Sequence, residues 1–163
     1  MAANDMAAKW DAFCDTLKAA GQELTSDHVP QDEQSQAEGL RYLSRMARAA
    51  LEWYVEFNDA AFPVLYQPAH ETIKLGADNP DNIYQKAVID GRFEYRLTGK
   101  RGSIDYISFA TSKGSYAENF KQVETGFLDS NTLAIDADGN FEIILSANEQ
   151  PGNWLPMDKA SES

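Results

Sequence analysis

Apolar side chains near the start of the chain recur every three or four residues, which is the spacing of one face of a helix. This pattern predicts a first helix over residues 5–24. Its row consists of Trp10, Phe13 or Cys14, Leu17 and Ala20. A second helix is predicted from about Asp32 to Asn58, with Asp32 as its N-cap. Two apolar rows make its buried face wider than a surface helix needs, so we expect contacts with both the first helix and a sheet.

The helical spacing ends after residue 58, and an irregular strap is predicted over residues 59–83. Pro63 and Pro68 prevent a continuous helix there. Alternation of apolar and polar residues then begins, with Phe93, Tyr95 and Leu97 on one side. Because Asp-Gly favours a two-residue hairpin turn, Asp90-Gly91 predicts a hairpin.

These signals together predict a β-meander. Its strands are expected at residues 84–89, 92–98 and 103–110, with a loop at 99–102. A second irregular passage follows over 111–131, with one helical turn around Tyr116–Val123. A last hairpin joins 132–135 to 141–145 through a turn at Asp138-Gly139.

Helices followed by strands predict an α+β fold, with two N-terminal helices packed on an antiparallel β-meander or partial sandwich of about five strands. The length fits a single domain over 1–163, made of a helical part (1–58), the strap (59–83), a β-rich part (84–155) and a polar tail (156–163). Asn153, Trp154 and Leu155 resemble the beginning of another buried element. Two explanations stay open: the chain is the leading part of a larger protein, or a partner completes it.

Charge and composition narrow the possible functions. The net charge of −12 argues against nucleic acid and anionic membranes as partners. One cysteine, Cys14, cannot form an internal disulfide or a cysteine-rich zinc site. The first residues lack the pattern of a signal peptide, and no stretch approaches eighteen apolar residues. We therefore expect a cytoplasmic protein.

Most residues that suggest chemistry have a simpler structural interpretation. His70-Glu71 lacks the second histidine of a helical zinc motif, and His28 has no nucleophile near it in the sequence. Asp136–Asn140 resembles part of a calcium loop but lacks its closing glutamate, so it is interpreted as a hairpin turn. The sequence predicts no metal site and no cofactor.

Residues 78–84 form a cluster of hydrogen-bonding side chains around Pro80, which we call the polar knot. These side chains can form Asx turns or cap a helical turn. Alternatively, some of them point into a pocket between helices and sheet, where carboxylate, amide and phenol groups suit polar recognition or acid–base chemistry. The catalytic candidates are Asp78 and Tyr84. The ligand-binding candidates in the knot are Asp78, Asn79, Asn82 and Tyr84.

Five of the fourteen Lys and Arg residues fall within sixteen positions, and we call them the basic island. Its members are Lys86, Arg92, Arg96, Lys100 and Arg101. In so acidic a chain this concentration suggests an anionic ligand or an acidic partner, although placement on a solvated sheet face is the simpler interpretation, because Arg96 alternates with Tyr95 and Leu97. Arg96 and Lys100 are the ligand-binding candidates.

Several phrases of the chain are similar to one bacterial family. They are residues 77–84 (ADNPDNIY), 87–92, 95–97, 99–102, the helical GLRYLSRMARAALEW stretch, LAIDADGNFEIIL and NWLP. Together they resemble the N-terminal half of uncharacterised proteins that carry the domain of unknown function number 1214. The resemblance implies a β-rich fold with a helical cover and further chain beyond NWLP. It implies no reaction and no cofactor.

Two functions are compatible with these residues. The first is the handling of a small polar or anionic molecule in a pocket between helices and sheet, by the knot candidates together with Arg96 and Lys100. The second is a non-catalytic binding or assembly module, completed by another copy of the chain, a partner or a second domain.

Overall fold

The computed structural model of the chain describes residues 3–114 and 122–159, with side chains from residue 5 onward. The chain divides into two compact units, Met1–Val88 and Ile89–Ser163. Two N-terminal helices lie in the first unit and five strands in the second. The predicted α+β class and strand number are therefore confirmed. The single domain, and the packing of helices on a sheet, stay predictions.

The helices begin and end close to their predicted positions. Helix α1 spans Ala3–Gln22 and continues as a 3-10 turn over Glu23–Thr25. Helix α2 spans Glu33–Leu51 and continues as a π-helical turn over Glu52–Glu56. The predicted N-cap is confirmed, because the Asp32 carboxylate accepts a hydrogen bond from the Ser35 N–H at 3.0 Å. This bonding lowers the pKa of Asp32 below its usual value.

The chain after α2 is irregular, as predicted, and packs around Tyr66. The Trp53 and Phe57 rings stack against the Tyr66 ring at 6.4 and 5.5 Å. The Tyr66 and Lys86 backbones exchange hydrogen bonds of 2.9 and 2.8 Å. The prediction of a strand over residues 84–89 was therefore wrong, since only this single bridge forms there. Beyond the Tyr66–Lys86 bridge, residues 84–89 have no strand partner among the described residues.

The second unit contains two small sheets. The three-stranded sheet has the order β1 (Tyr95–Lys100), β4 (Asn140–Ser146), β5 (Trp154–Pro156). β4 pairs antiparallel with β1 and parallel with β5. The two-stranded sheet pairs β2 (Ser108–Lys113) with β3 (Val123–Asp129), also antiparallel.

This strand order differs from the predicted meander. The Phe93 N–H donates to the Asp90 carbonyl at 3.0 Å, so Asp90-Gly91 does form a turn. Gly91 lacks the positive φ of a two-residue hairpin, however, and the turn joins no pair of strands. Phe93 precedes β1 and is 42% exposed. β1 also continues through Gly99 and Lys100, where a loop was predicted.

The predictions for the last hairpin and for the second irregular passage also need correction. The turn at Asp138-Gly139 is confirmed, since Gly139 has a φ of +86° and the Gly139 N–H donates to the Asp136 carbonyl. Residues 132–135 form no strand, because β4 takes β1 and β5 as partners. The passage over 111–131 contains β3, which was missed. The helical turn expected around Tyr116–Val123 lies largely outside the described residues, and Val123 begins β3.

The core of the second unit lies on one face of the three-stranded sheet. Ile143 at the centre of β4 is fully buried, and Leu155 of β5 is 2% exposed. The Phe109 ring of β2 packs on the Phe141 ring of β4 at 5.4 Å, which brings the smaller sheet onto the same core. The buried cluster is Leu133, Phe141, Ile143, Leu145, Leu155 and Met157. The expectation of a buried element at Trp154–Leu155 is thus confirmed.

Asn153 holds β5 beside β4. Its side-chain amide donates to the carbonyls of Ala134 and Glu142 at 2.8 and 2.9 Å, and its side-chain oxygen accepts from the Ala134 N–H at 2.7 Å. The Asn153 carbonyl also accepts from the Ile144 N–H at 2.9 Å. One residue therefore joins three segments of the chain, which we call the Asn153 clasp.

We expect Asn153→Asp to destabilise the second unit by about 1–3 kcal/mol, because a carboxylate cannot donate to the two carbonyls. Asn148→Asp makes the same charge change where no side-chain hydrogen bond is described, and should alter stability by less than about 0.5 kcal/mol. Urea unfolding at neutral pH measures both. The Asn153→Asp defect should shrink below about pH 4, where a protonated carboxyl regains one donor. Equal losses of unfolding free energy in the two variants would contradict a stabilising role for the Asn153 clasp.

Candidate functional site

The polar knot lies on the surface of the first unit, after a backbone reversal. Gly76 and Ala77 both have positive φ, +69° and +57°. The Asp78 carboxylate then accepts a hydrogen bond from the Lys74 ammonium at 2.9 Å. The Asp78 side chain is 12% exposed in this ion pair. The bond to Lys74 lowers the pKa of Asp78, so the group is a carboxylate at neutral pH and a poor proton donor.

The amides of the knot bond to their own neighbourhood. The Asn79 side-chain oxygen accepts from the Asp81 N–H at 3.0 Å, and the Asn79 carbonyl accepts from the Asn82 N–H at 3.2 Å. The Asn82 side-chain amide donates to the Tyr84 hydroxyl at 3.3 Å. Such contacts form an Asx turn around Pro80. The observed bonds are those of the structural interpretation of the knot.

The basic island consists largely of locally bonded side chains. Arg92 pairs with Asp90 at 2.7 Å, and this bonding lowers the pKa of Asp90. Arg101 donates to the carbonyls of Ile104 and Asp105 at 2.9 and 2.7 Å. Arg96 lies 3.8 Å from Glu142, a loose pair on the outer face of the sheet. For Lys86 and Lys100, no acidic partner is found among the described residues.

The six predicted site residues are divided between the two units. Asp78, Asn79, Asn82 and Tyr84 belong to the first unit, and Arg96 and Lys100 to the second. Within its own unit, the first set surrounds one turn. Arg96 and Lys100 lie on one strand and one face, since they are four residues apart in β1. The pocket that was predicted to join both sets stays a prediction.

Two adjoining concavities lie on the second unit, with volumes of about 490 and 430 Å³. Both are bordered by Asp136, Asn140, Phe141 and Glu142. The Asp136 carboxylate already accepts hydrogen bonds from the N–H groups of Asp138 and Asn140 and from the Asn140 side chain. Bonding to Asn140 lowers the pKa of Asp136. The Asp136 carboxylate, which borders both concavities, therefore bonds within its own turn.

Helix α1 presents an exposed apolar row, which shares Trp10, Phe13 and Leu17 with the row predicted from the sequence and adds Met6. Trp10 is 65% exposed, Met6 is 58%, and Leu17 is 40%. Phe13 completes this row, at 37% exposure and with its ring 5.6 Å from that of Trp10. We call Met6, Trp10, Phe13 and Leu17 the α1 row. Periodicity identifies such a row, but the same spacing suits a buried face and a docking face equally well.

Metal-binding clusters and membrane-spanning helices are two further features that would indicate function. Within residues 3–114 and 122–159, no group of three or more His, Cys, Asp or Glu side chains is arranged to hold a metal ion. Over the same residues, neither helix is long and apolar enough to span a bilayer.

Comparison with known proteins gives one strong similarity. No model of a known protein family matches the chain, and no curated protein matches it. A crystal structure of an uncharacterized protein from Burkholderia cenocepacia is 53% identical, with a TM-score of 0.82 over 91% of this chain. The chain spans 41% of that protein. The matched part of that protein therefore shares the fold of this chain, and the similarity carries no reaction with it.

We expect Asp78→Asn to lower the melting temperature at pH 7, because the charged hydrogen bond to Lys74 is lost. A lowered folded-state pKa means that this stabilisation is present above the unfolded value of 3.8 and lost as pH falls through the folded value. The difference from the wild type should therefore vanish in acid. Asp81→Asn is the control, since no described cation contacts that carboxylate. A pH-independent or absent difference would contradict a structural role for Asp78.

Proposed function

We propose that this chain is a non-catalytic assembly module whose α1 row docks against further protein. The observation that carries the proposal is the exposure of Trp10 and Phe13 side by side on one helix face. Contiguous exposed apolar surface is uncommon on proteins that act alone and is typical of interaction sites. Aromatic side chains of this kind dominate the binding energy of many interfaces.

Few apolar side chains of the first unit are buried within it. Its buried hydrophobic residues, among those described, are Ala49, Tyr66 and Ile73. Two large side chains of α2 and its π-helical extension, Leu40 and Tyr54, are also more than half exposed. Helices in proteins gain most of their stability from packing an apolar face, so a cover for these surfaces would stabilise the unit.

The spacing of the α1 row fits a helix as the covering element. Its members lie four, three and four residues apart, the spacing by which one helix packs side chains between those of another. The Burkholderia protein contains further chain beyond the match, since the matched fold accounts for 41% of it. We propose that protein of the kind found in its unmatched part covers α1, either in the same polypeptide or as a partner.

The test uses that unmatched part of the Burkholderia protein, expressed separately and mixed with this chain. We expect a one-to-one complex by sedimentation velocity. Trp10→Ala should weaken it by about 2 kcal/mol, which is roughly thirtyfold in Kd. Tyr106→Ala removes a comparably exposed aromatic side chain from the second unit and should leave the affinity unchanged.

Two results would contradict the proposal. One is the absence of a complex at concentrations of about 100 μM, since a standard interface with aromatic anchors binds more tightly. The other is self-association of this chain that Trp10→Ala removes, because a second copy would then be the occupant of the α1 row.

The second candidate function is the handling of a small polar or anionic molecule. Its supporting observation is Lys100, an exposed cation beside the concavities on the second unit with no acidic partner in the described part of the chain. The Asp78 comparison bears on this candidate as well. If Asp78→Asn leaves the melting temperature and its pH dependence unchanged, the bond to Lys74 contributes no measurable stability, and this candidate gains support.

We further propose that the chain belongs to the family with the domain of unknown function number 1214. The proposal rests on residues 77–84 and on the similarity to a longer protein. It requires that domain to be present in the Burkholderia protein beyond the matched part. If that domain is absent from the unmatched part, the family assignment is wrong.

A further inference from the structure

The outer edge of β1 carries backbone groups that face away from β4. In an antiparallel pair, residues bonded to the partner alternate with residues that face outward. The Arg101 N–H, one position beyond β1, donates to the Gly139 carbonyl at 2.9 Å. The odd-numbered residues of β1 therefore bond to β4. The even-numbered residues, Arg96, Thr98 and Lys100, direct their N–H and C=O groups outward.

The opposite edge of β4 agrees with this alternation. Ile144, which is paired in register with Arg96, donates its N–H toward Asn153 rather than toward β1. The Glu142 carbonyl, opposite Thr98, likewise accepts from the Asn153 side chain. On β1, the outward groups of Arg96, Thr98 and Lys100 have no backbone hydrogen-bond partner among the described residues.

We propose that this edge accepts an extended, acidic segment of a partner protein as a fourth strand. Backbone pairing of a peptide with an open sheet edge is an established mode of recognition, in which alternate side chains give specificity. The three outward residues of β1 provide a complete set of donors and acceptors for such a strand. This inference adds a second surface to the proposed assembly role and is independent of the α1 row.

The side chains of the edge define the chemistry of the partner. Arg96, Thr98 and Lys100 share the outer face of the sheet, because alternate residues of a strand point the same way. The Arg96 side chain is 69% exposed, and its contact with Glu142 is loose at 3.8 Å. A strand with carboxylates opposite Arg96 and Lys100 would form two cross-strand ion pairs. Apolar residues between them would face the side of Leu97.

A second copy of the chain fits this edge poorly. Two β1 strands related by two-fold symmetry and centred on Thr98 would place Arg96 opposite Lys100 of the other copy, on both sides. Like charges directly opposite each other across strands are destabilising. The same charges protect an open edge from uncontrolled pairing, as they do in many natural sheets. Charge complementarity therefore favours an acidic strand over self-association.

The probe is the synthetic peptide acetyl-Glu-Val-Thr-Val-Glu-amide, which reads the same in both directions and so suits either strand orientation. In an NMR titration of the whole chain to millimolar peptide, we expect the N–H signals of Arg96, Thr98 and Lys100 to shift downfield. Their exchange with solvent should slow at least threefold. The N–H groups of Leu97 and Gly99, already bonded to β4, should change little.

Charge reversal provides the matched control. The peptide acetyl-Lys-Val-Thr-Val-Lys-amide should bind at least tenfold more weakly, since two attractive pairs become repulsive. The double variant R96E/K100E should reverse this preference. Thr98→Pro should abolish binding, because it removes an outward donor while the β4 ladder loses none.

Three results would overturn the proposal. They are no shift at millimolar peptide, equal binding of the two peptides, and shifts confined to residues outside β1. All three use the unmodified chain, so misfolding of a variant cannot hide them. Trp10→Ala should bind the acidic peptide normally, which separates failure here from failure of the α1 docking.

Discussion

The position of β4 between an antiparallel and a parallel neighbour is the constraint on which the second unit depends. A parallel neighbour so close in sequence requires the chain to cross back after β4, and the Asn153 clasp fixes where it does so. Once β4 is fixed, the alternation of side chains directs Phe141, Ile143 and Leu145 into the core. The same alternation assigns every β1 residue to a bonded or an outward position. The core and the open edge are thus two results of one register.

The sequence predicts those features that short-range physics determines. Asp32 caps α2 because its carboxylate accepts a hydrogen bond from an N–H three residues away. Gly139 suits its turn because glycine readily adopts the positive φ found there. The pairing of β1 with β4 joins residues forty to fifty positions apart, and local alternation does not encode such a partner. Local alternation also failed to locate the start of β1, since Phe93 continues that alternation but ends the turn in which its N–H donates to the Asp90 carbonyl.

Sequence patterns identified the polar knot as a cluster of hydrogen-bonding side chains but did not determine its role. The polar knot contains the side-chain types that an acid–base site would use, but those types also satisfy backbone groups at a tight turn. The bonds that the structure gives Asp78, Asn79 and Asn82 are all local, as the structural interpretation expects. The α1 row is the opposite case, because no functional role was predicted for it. Its spacing predicted a helix face, and only its exposure makes it a candidate interface.

We propose that this chain binds other protein through α1 rather than through the polar knot. Hydrogen exchange of the free chain, compared with the chain mixed with the unmatched part of the Burkholderia protein, tests it most directly. The account predicts that amides of α1 exchange at least tenfold more slowly in the mixture, while those of residues 78–84 do not change. Protection of residues 78–84 with α1 unchanged would contradict it.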